Sequence, residues 1–187
     1  MTPLLGIFAS ANTTVATSYE SIAVSSVGSG GASSVSFTSI PGTYTHLQIR
    51  AIGRATRAGS TDSVKLQLNS DTTTNYAHHL LYGDGTSAIS SATTSTSFIY
   101  PVITTAGTDL SNTFCAMVVD ILDYTNTNKN TTVRSLSGYD VNGSGYSMFT
   151  SGLWLNTAAV TSISFAPGSS NWAQYSHFAL YGIKGPA

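Results

Sequence analysis

Few residues in this 187-residue chain could do acid, base or metal chemistry, and their spacing works against it. The carboxylates number eight, a single Glu20 and seven Asp, beside four histidines and one cysteine. His46, His78, His79 and His177 have no Cys or carboxylate at zinc-ligand spacing, and adjacent His78 and His79 would point to opposite faces of a strand. The stretch Asp123 to Asn130 offers Asn126, Asn128 and Asn130 but no closing bidentate acid, so it reads as an Asn-rich turn and not a calcium loop. A glycosidase needs two carboxylates facing across a cleft. Asp62, Asp71, Asp84, Asp109 and Asp140 instead sit in turn-like sequence. Asp120 and Asp123, three apart, fall on opposite faces of one strand, and at least one is expected to answer Arg134 or a backbone donor. No Gly-x-Ser-x-Gly elbow between strand and helix occurs, and Gly28-x-Gly30 lacks the lysine and helix of a phosphate loop. No catalytic, cofactor-binding or metal-ligating residue is assigned: the chain is expected to be no enzyme and to need no cofactor.

Aromatic surface is the chemistry that remains. Tyr139, Tyr146, Trp154, Trp172 and Tyr175, with Tyr181, could anchor an interface or line a sugar groove. Core packing is the competing role for each, and stacking on a sugar requires several exposed on one face. Arg50, Arg54 and Arg57 form the one basic cluster, read as a polar strand edge and turn, with an anion site or subunit contact as the alternative.

These residues must be positioned by strands, because period-2 alternation recurs and helical periodicity is nearly absent. In Tyr44–Arg50, Leu47 and Ile49 share one face while His46, Gln48 and Arg50 share the other. In Ser63–Asn69, Val64, Leu66 and Leu68 point inward. The two are expected to be adjacent antiparallel strands with one face in the core. Further strands are predicted at 19–25, 33–38, 76–82, 97–103, 113–123, 131–139, 146–154, 160–165 and 175–183. The run 113–123 is apolar on both faces for most of its length, which implies a central strand covered on both sides or one face sealed by a subunit. Turn chemistry separates the runs, Asn142-Gly143 giving the clearest two-residue hairpin. The stretch Ser87–Ser97, rich in Ser and Thr, reads as an exposed loop. The predicted fold is all-β, an antiparallel β-sandwich of jelly-roll type. It comprises one sandwich domain over 19–187, preceded by an extended N-terminal arm over 1–18.

Composition narrows the setting. Charged residues are 8% of the chain, against about 25% in ordinary soluble domains, and Ser plus Thr make up roughly three residues in ten, far above average usage. Forty-one per cent hydrophobic residues supply a core. A net charge of −1 gives no basic footprint for nucleic acid. Lone Cys115, inside Phe114–Val119, reads as a small buried hydrophobe and is compatible with assembly in a reducing cytoplasm. The apolar stretch Pro3–Phe8 mimics a signal h-region, but no Lys or Arg precedes Arg50, and it is too short to span a bilayer. Leu4, Leu5, Ile7 and Phe8 are therefore expected to form an assembly arm docked on this domain or on a neighbour.

Several stretches together carry a resemblance: Leu5–Ser10, Tyr19-Glu20-Ser21-Ile22-Ala23, Ser36–Arg50, Asp120-Ile121-Leu122-Asp123-Tyr124 and Phe178-Ala179-Leu180-Tyr181-Gly182-Ile183-Lys184. The chain resembles a group of virion proteins of tailed bacteriophages over almost its whole length. That resemblance implies a structural β-domain on the head or tail and supplies no catalytic or binding residues. The resulting expectation is a capsid decoration or cement protein on the virion surface, assembled in the host cytoplasm. Its expected partners are itself, favouring a homotrimer, and the major capsid protein or tail proteins. Nucleic acid and membrane are not expected partners. The alternative is a tail-fibre or receptor-binding module recognising host surface glycans.

Overall fold

The structure is a computed structural model and describes residues 18–185. Twelve strands follow one another: β1 (Tyr19–Ser26), β2 (Val35–Phe37), β3 (His46–Gly53), β4 (Thr61–Leu68), β5 (Tyr76–Gly83), β6 (Ala88–Thr96), β7 (Ile103–Thr105), β8 (Cys115–Leu122), β9 (Thr131–Asp140), β10 (Gly145–Trp154), β11 (Ile163–Pro167) and β12 (His177–Ile183). They pair antiparallel into an eight-stranded sheet, β1-β12-β3-β8-β9-β10-β5-β6, and a four-stranded sheet, β2-β11-β4-β7. Setting aside β5, β6, β9 and β10 leaves β1-β12-β3-β8 opposite β2-β11-β4-β7, the two four-stranded sheets of a jelly roll. The two remaining hairpins, β5–β6 and β9–β10, are insertions that widen one sheet beyond the other.

Alternation dictates what lies between the sheets. Leu47 and Ile49 of β3, Val64, Leu66 and Leu68 of β4, and Met117, Val119 and Ile121 of β8 are buried together with Phe165, Phe178 and Leu180. At one end Trp172 donates its indole N–H to Phe165 O at 3.1 Å and meets Phe178 edge-on at 4.9 Å. A Cβ at Gly53 would lie 2.7 Å from the Trp172 ring, so that strand can pass the ring only as glycine. The Asn142-Gly143 hairpin forms as its sequence requires, with φ of 62° and 124° at the two residues, the left-handed pair of a type I′ turn.

Three expectations are corrected. Strands β3 and β4 are not neighbours: β3 lies between β12 and β8, and β4 between β11 and β7 in the opposite sheet. Alternation specifies which face turns inward, not which strand comes next, so the inward residues meet across the core instead of side by side. The Ser87–Ser97 stretch is exposed as expected but contains β6, paired along β5. Its Thr residues favour extended backbone, and an edge strand exposed on both faces needs no alternation. The strand expected at 97–103 is irregular. Ile99 exchanges two 2.9 Å hydrogen bonds with Leu66, and a regular ladder starts only at Ile103. This segment instead caps the inner face of the insertions. Ser135 donates to Pro101 O at 2.7 Å and Thr150 to Tyr100 O at 3.1 Å, while Ile99 fills the space where a Cβ on Gly152 would sit.

The expected arm residues Leu4, Leu5, Ile7 and Phe8 lie outside the described residues, as do Pro186 and Ala187.

Candidate functional site

The inserted strands invert the usual polarity of a half-buried sheet. On β9, Ser135 and Ser137 turn inward and Leu136 outward; on β10, Thr150 turns inward and Phe149 outward. A one-residue slip would bury both large side chains, yet the register keeps them in water at 62% exposure for Leu136 and 42% for Phe149. Inter-strand pairing lines them up. Val118 of β8 is opposite Leu136, Leu136 is opposite Phe149, and Phe149 is opposite Leu81 of β5, itself 53% exposed. An unbroken apolar row thus crosses β8-β9-β10-β5 on the outer face, with nothing in the described chain above it.

Beside that row runs a row of small residues in the same order: Ala116, Gly138, Ser147 and Gly83. The step in height makes a shallow groove of about 290 Å³ between Leu81, Gly83, Ala88, Leu136, Ser147 and Phe149. On the other flank lies a polar row, where Asp120 accepts from Gln48 at 2.8 Å and from Arg134 at 3.0 Å. Arg50, at the rim, donates to Gln48 at 3.0 Å and lies over the Tyr19 ring. The sequence expectation that 113–123 has an apolar outer face is met by Ala116 and Val118. Nothing in the described chain covers that face.

A second feature lies where the tips of the two insertions approach each other. Tyr82, Tyr139 and Tyr146 form a chain of rings with centroids 5.7 Å apart at each step. Tyr139 and Tyr146 border an open cavity of about 250 Å³ together with Asp84, Asp140, Ser144 and Ser147. Asp84 Oδ1 accepts from the Thr86 and Ser87 amides, which holds its carboxyl below the usual range and fixes its orientation. Asp140 Oδ1 caps the Asn142 amide at 2.7 Å. Burial raises the Tyr139 phenol well above its ordinary value, so it remains a neutral hydroxyl.

The other sequence candidates separate clearly. Trp154 and Trp172 are core residues; the Trp154 indole donates to Asp71 Oδ2 at 2.7 Å and its ring stacks with Tyr76. Neither can stack on a ligand. Tyr175 is 74% exposed but stands alone on the β11–β12 connection, away from the Tyr139–Tyr146 pair. Tyr181 stacks on Tyr19 at 4.8 Å. The three arginines do not converge: Arg54 clamps the carbonyls of Asp109, Leu110 and Thr113 at 2.7–2.9 Å, and Arg57 donates to Thr61 O at 2.8 Å. Asp120 answers Arg134, while Asp123 pairs with Lys129 and lies 3.3 Å from His46. Cys115 is buried and its thiol is pushed up to about 12 by desolvation, which suppresses the thiolate. His78 turns inward and His79 outward. Among the described residues no three potential metal-ligating side chains converge, and no helix is long and apolar enough to cross a membrane.

Sequence reasoning missed Leu81, Tyr82, Leu136 and Phe149. The available signal was phase: in 131–139 the large apolar Leu136 shares a face with Thr132 and Arg134, opposite Val133. Compared with family models, with curated proteins and with solved structures, the chain matches none.

Proposed function

We propose that this chain is a non-enzymatic structural protein of a tailed-phage particle, a capsid decoration or cement protein carried on the virion surface. The observation that supports it most is the apolar row Val118-Leu136-Phe149-Leu81, aligned across four strands and held outward. Contiguous exposed apolar surface marks interaction sites, and the inverted polarity of β9 and β10 places that surface on strands added to a complete jelly roll. The jelly roll is an architecture of capsid and lectin domains, though fold alone does not assign function. The resemblance of the stretches quoted above to phage virion proteins supplies the particle. Its partners are further copies of itself and the major capsid protein, met during assembly in the host cytoplasm. Quantitative mass spectrometry of purified virions tests this. Hundreds of copies per particle are expected, a few to a few dozen would move the protein to the tail, and absence from particles would overturn the proposal.

The cavity bordered by Tyr139 and Tyr146 favours a second reading, a tail-fibre or receptor-binding module for host surface glycans. Aromatic walls with a few fixed polar groups are what small-ligand sites require, and carboxylates accept strong hydrogen bonds from sugar hydroxyls. Binding on a glycan array that is lost in Tyr146→Ala would support this reading; a blank array would remove it.

A further inference from the structure

We infer that the outer face of the eight-stranded sheet packs against the same face of a second copy, about a two-fold axis that runs across the strands between the apolar row and the small-residue row. This rests on the reading that the protein works by assembly, and it names the first partner and the geometry.

The argument is one of self-complementarity. A two-fold axis lying in the interface plane and parallel to the rows exchanges what is on either side of it while keeping position along the row. Val118 of one copy then sits over Ala116 of the other, Leu136 over Gly138, Phe149 over Ser147 and Leu81 over Gly83. The pairing registers supply this correspondence, because each large residue and its small counterpart occupy the same strand two positions apart. Large side chains facing small ones are how two layers interdigitate without voids, and each contact occurs twice, as an isologous interface demands. The strands of the two copies run antiparallel, within the roughly 30° that sheet twist imposes on aligned packing.

Desolvation favours the same face. None of the eight residues in the two rows is charged. Arg50, opposite Val118 on β3, ends the apolar row and donates to Gln48, while Asp120 and Arg134 lie beyond the row and are paired with each other at 3.0 Å. The face around the rows is also large enough. Five strands from β8 to β6, about 4.8 Å apart, and eight residues of about 3.4 Å rise, which take in the polar positions flanking the two rows, give a face of roughly 24 by 27 Å. Two copies would therefore bury on the order of 1,200–1,300 Å² in total, at the lower end of stable specific interfaces. Such pairing closes as a dimer and leaves the four-stranded sheet free for other contacts.

The test is sedimentation of the full-length chain over a concentration series, with circular dichroism confirming that each variant is folded. Wild type is expected to sediment as a dimer. Leu136→Asp should weaken pairing by on the order of 100-fold, because its carboxylate would be buried without a partner. Ala116→Phe discriminates further: it enlarges the exposed apolar surface, so a merely sticky patch would associate more strongly, whereas a filled hollow must associate less. Leu155→Ser, an exposed apolar residue outside the rows, should leave the dimer unchanged. A wild-type monomer or trimer, or stronger association of Ala116→Phe, would overturn the pairing. So would a monomer that dimerises only after residues 1–17 are deleted, since the face would then be covered by its own chain. Virion copy number reads the assembly role separately. A monomeric chain abundant in particles sinks the pairing alone, and a dimeric chain missing from particles sinks the particle role alone.

Discussion

Asp71 fastens the inserted hairpins to the frame, and replacing it with Asn should have a cost that disappears in acid. Its Oδ2 accepts from the Trp154 indole at 2.7 Å and from Asn75 at 3.1 Å, while Oδ1 accepts from the Thr73 amide at 2.9 Å and from the Thr73 hydroxyl. These donors, Thr73 foremost, hold the Asp71 carboxyl down at about 2 against an ordinary 3.8. A shift of that size corresponds to about 2.5 kcal/mol at 1.36 kcal/mol per pH unit. The group is partly solvated, and screening reduces the usable part to about 1–2 kcal/mol. Asn keeps one acceptor, which the buried Trp154 N–H will claim, and presents an amide to the Thr73 N–H, which must turn to water. The sign follows from the depressed folded pKa: the stabilisation is complete above the unfolded value near 3.8 and is lost as pH falls through about 2. Urea unfolding followed by tryptophan fluorescence, repeated from neutral pH downward, should show Asp71→Asn less stable by about 1–2 kcal/mol at neutral pH. The two curves should converge between about pH 5 and pH 2. A constant offset across that window, or no offset at neutral pH, would refute the assignment of the anchor to the ionised carboxylate.

Four further outcomes are expected. Leu66→Ala should destabilise by about 2–5 kcal/mol in urea, since Leu66 is fully buried between the sheets; a loss below about 0.5 kcal/mol, the scale of surface sites, would show that β4 faces the other way. Gly182→Ala should cost about 1–3 kcal/mol by overpacking, because a methyl there would overlap the Tyr44 ring, and an unchanged denaturation midpoint would contradict that contact. A strong chelator should leave Tm unchanged, because among the described residues no three potential metal-ligating side chains converge to couple metal binding to folding; a fall of many degrees would reveal a structural ion. Deleting residues 1–12 should leave the sandwich folded with Tm nearly intact while weakening incorporation into particles, and unfolding of the truncated chain would assign those residues to the core.

The fold was legible where burial imposes a period. Leu47, Ile49, Val64, Leu66 and Leu68 alternate with polar neighbours because each lies on a strand with one wet face, and all five are fully buried. Asn142-Gly143 announced its hairpin because only residues tolerant of positive φ can make so tight a reversal. Pairing order was not legible in the same way. β3 and β4 read as neighbours because their patterns match, but the matching arises from a shared core, reached from opposite sheets. β6 escaped because an edge strand exposed on both faces leaves no periodic trace, only a preference for Thr and Ser that loops share.

The candidate site was hidden for a different reason. Leu81, Val118, Leu136 and Phe149 are scattered over more than sixty positions of sequence and meet only through three separate strand registers. Locally each reads as one more apolar residue in an apolar-rich strand. Even the clearest local clue, Leu136 out of phase with Val133, implies an outward-facing side chain without saying what lies beside it. The aromatics misled in the opposite direction. Trp154 and Trp172 are the residues most enriched at binding surfaces in general, yet here each indole N–H finds an acceptor inside the fold, Asp71 Oδ2 and Phe165 O, which is what allows so large a side chain to be buried. The tyrosines that do reach a cavity are those at the tips of the inserted hairpins, where the inner face runs past the end of the four-stranded sheet. Both candidate surfaces therefore share one cause. The insertions extend a sheet beyond its partner, and among the described residues nothing covers its outer face or the far end of its inner face; those areas carry the apolar row and the tyrosine cavity.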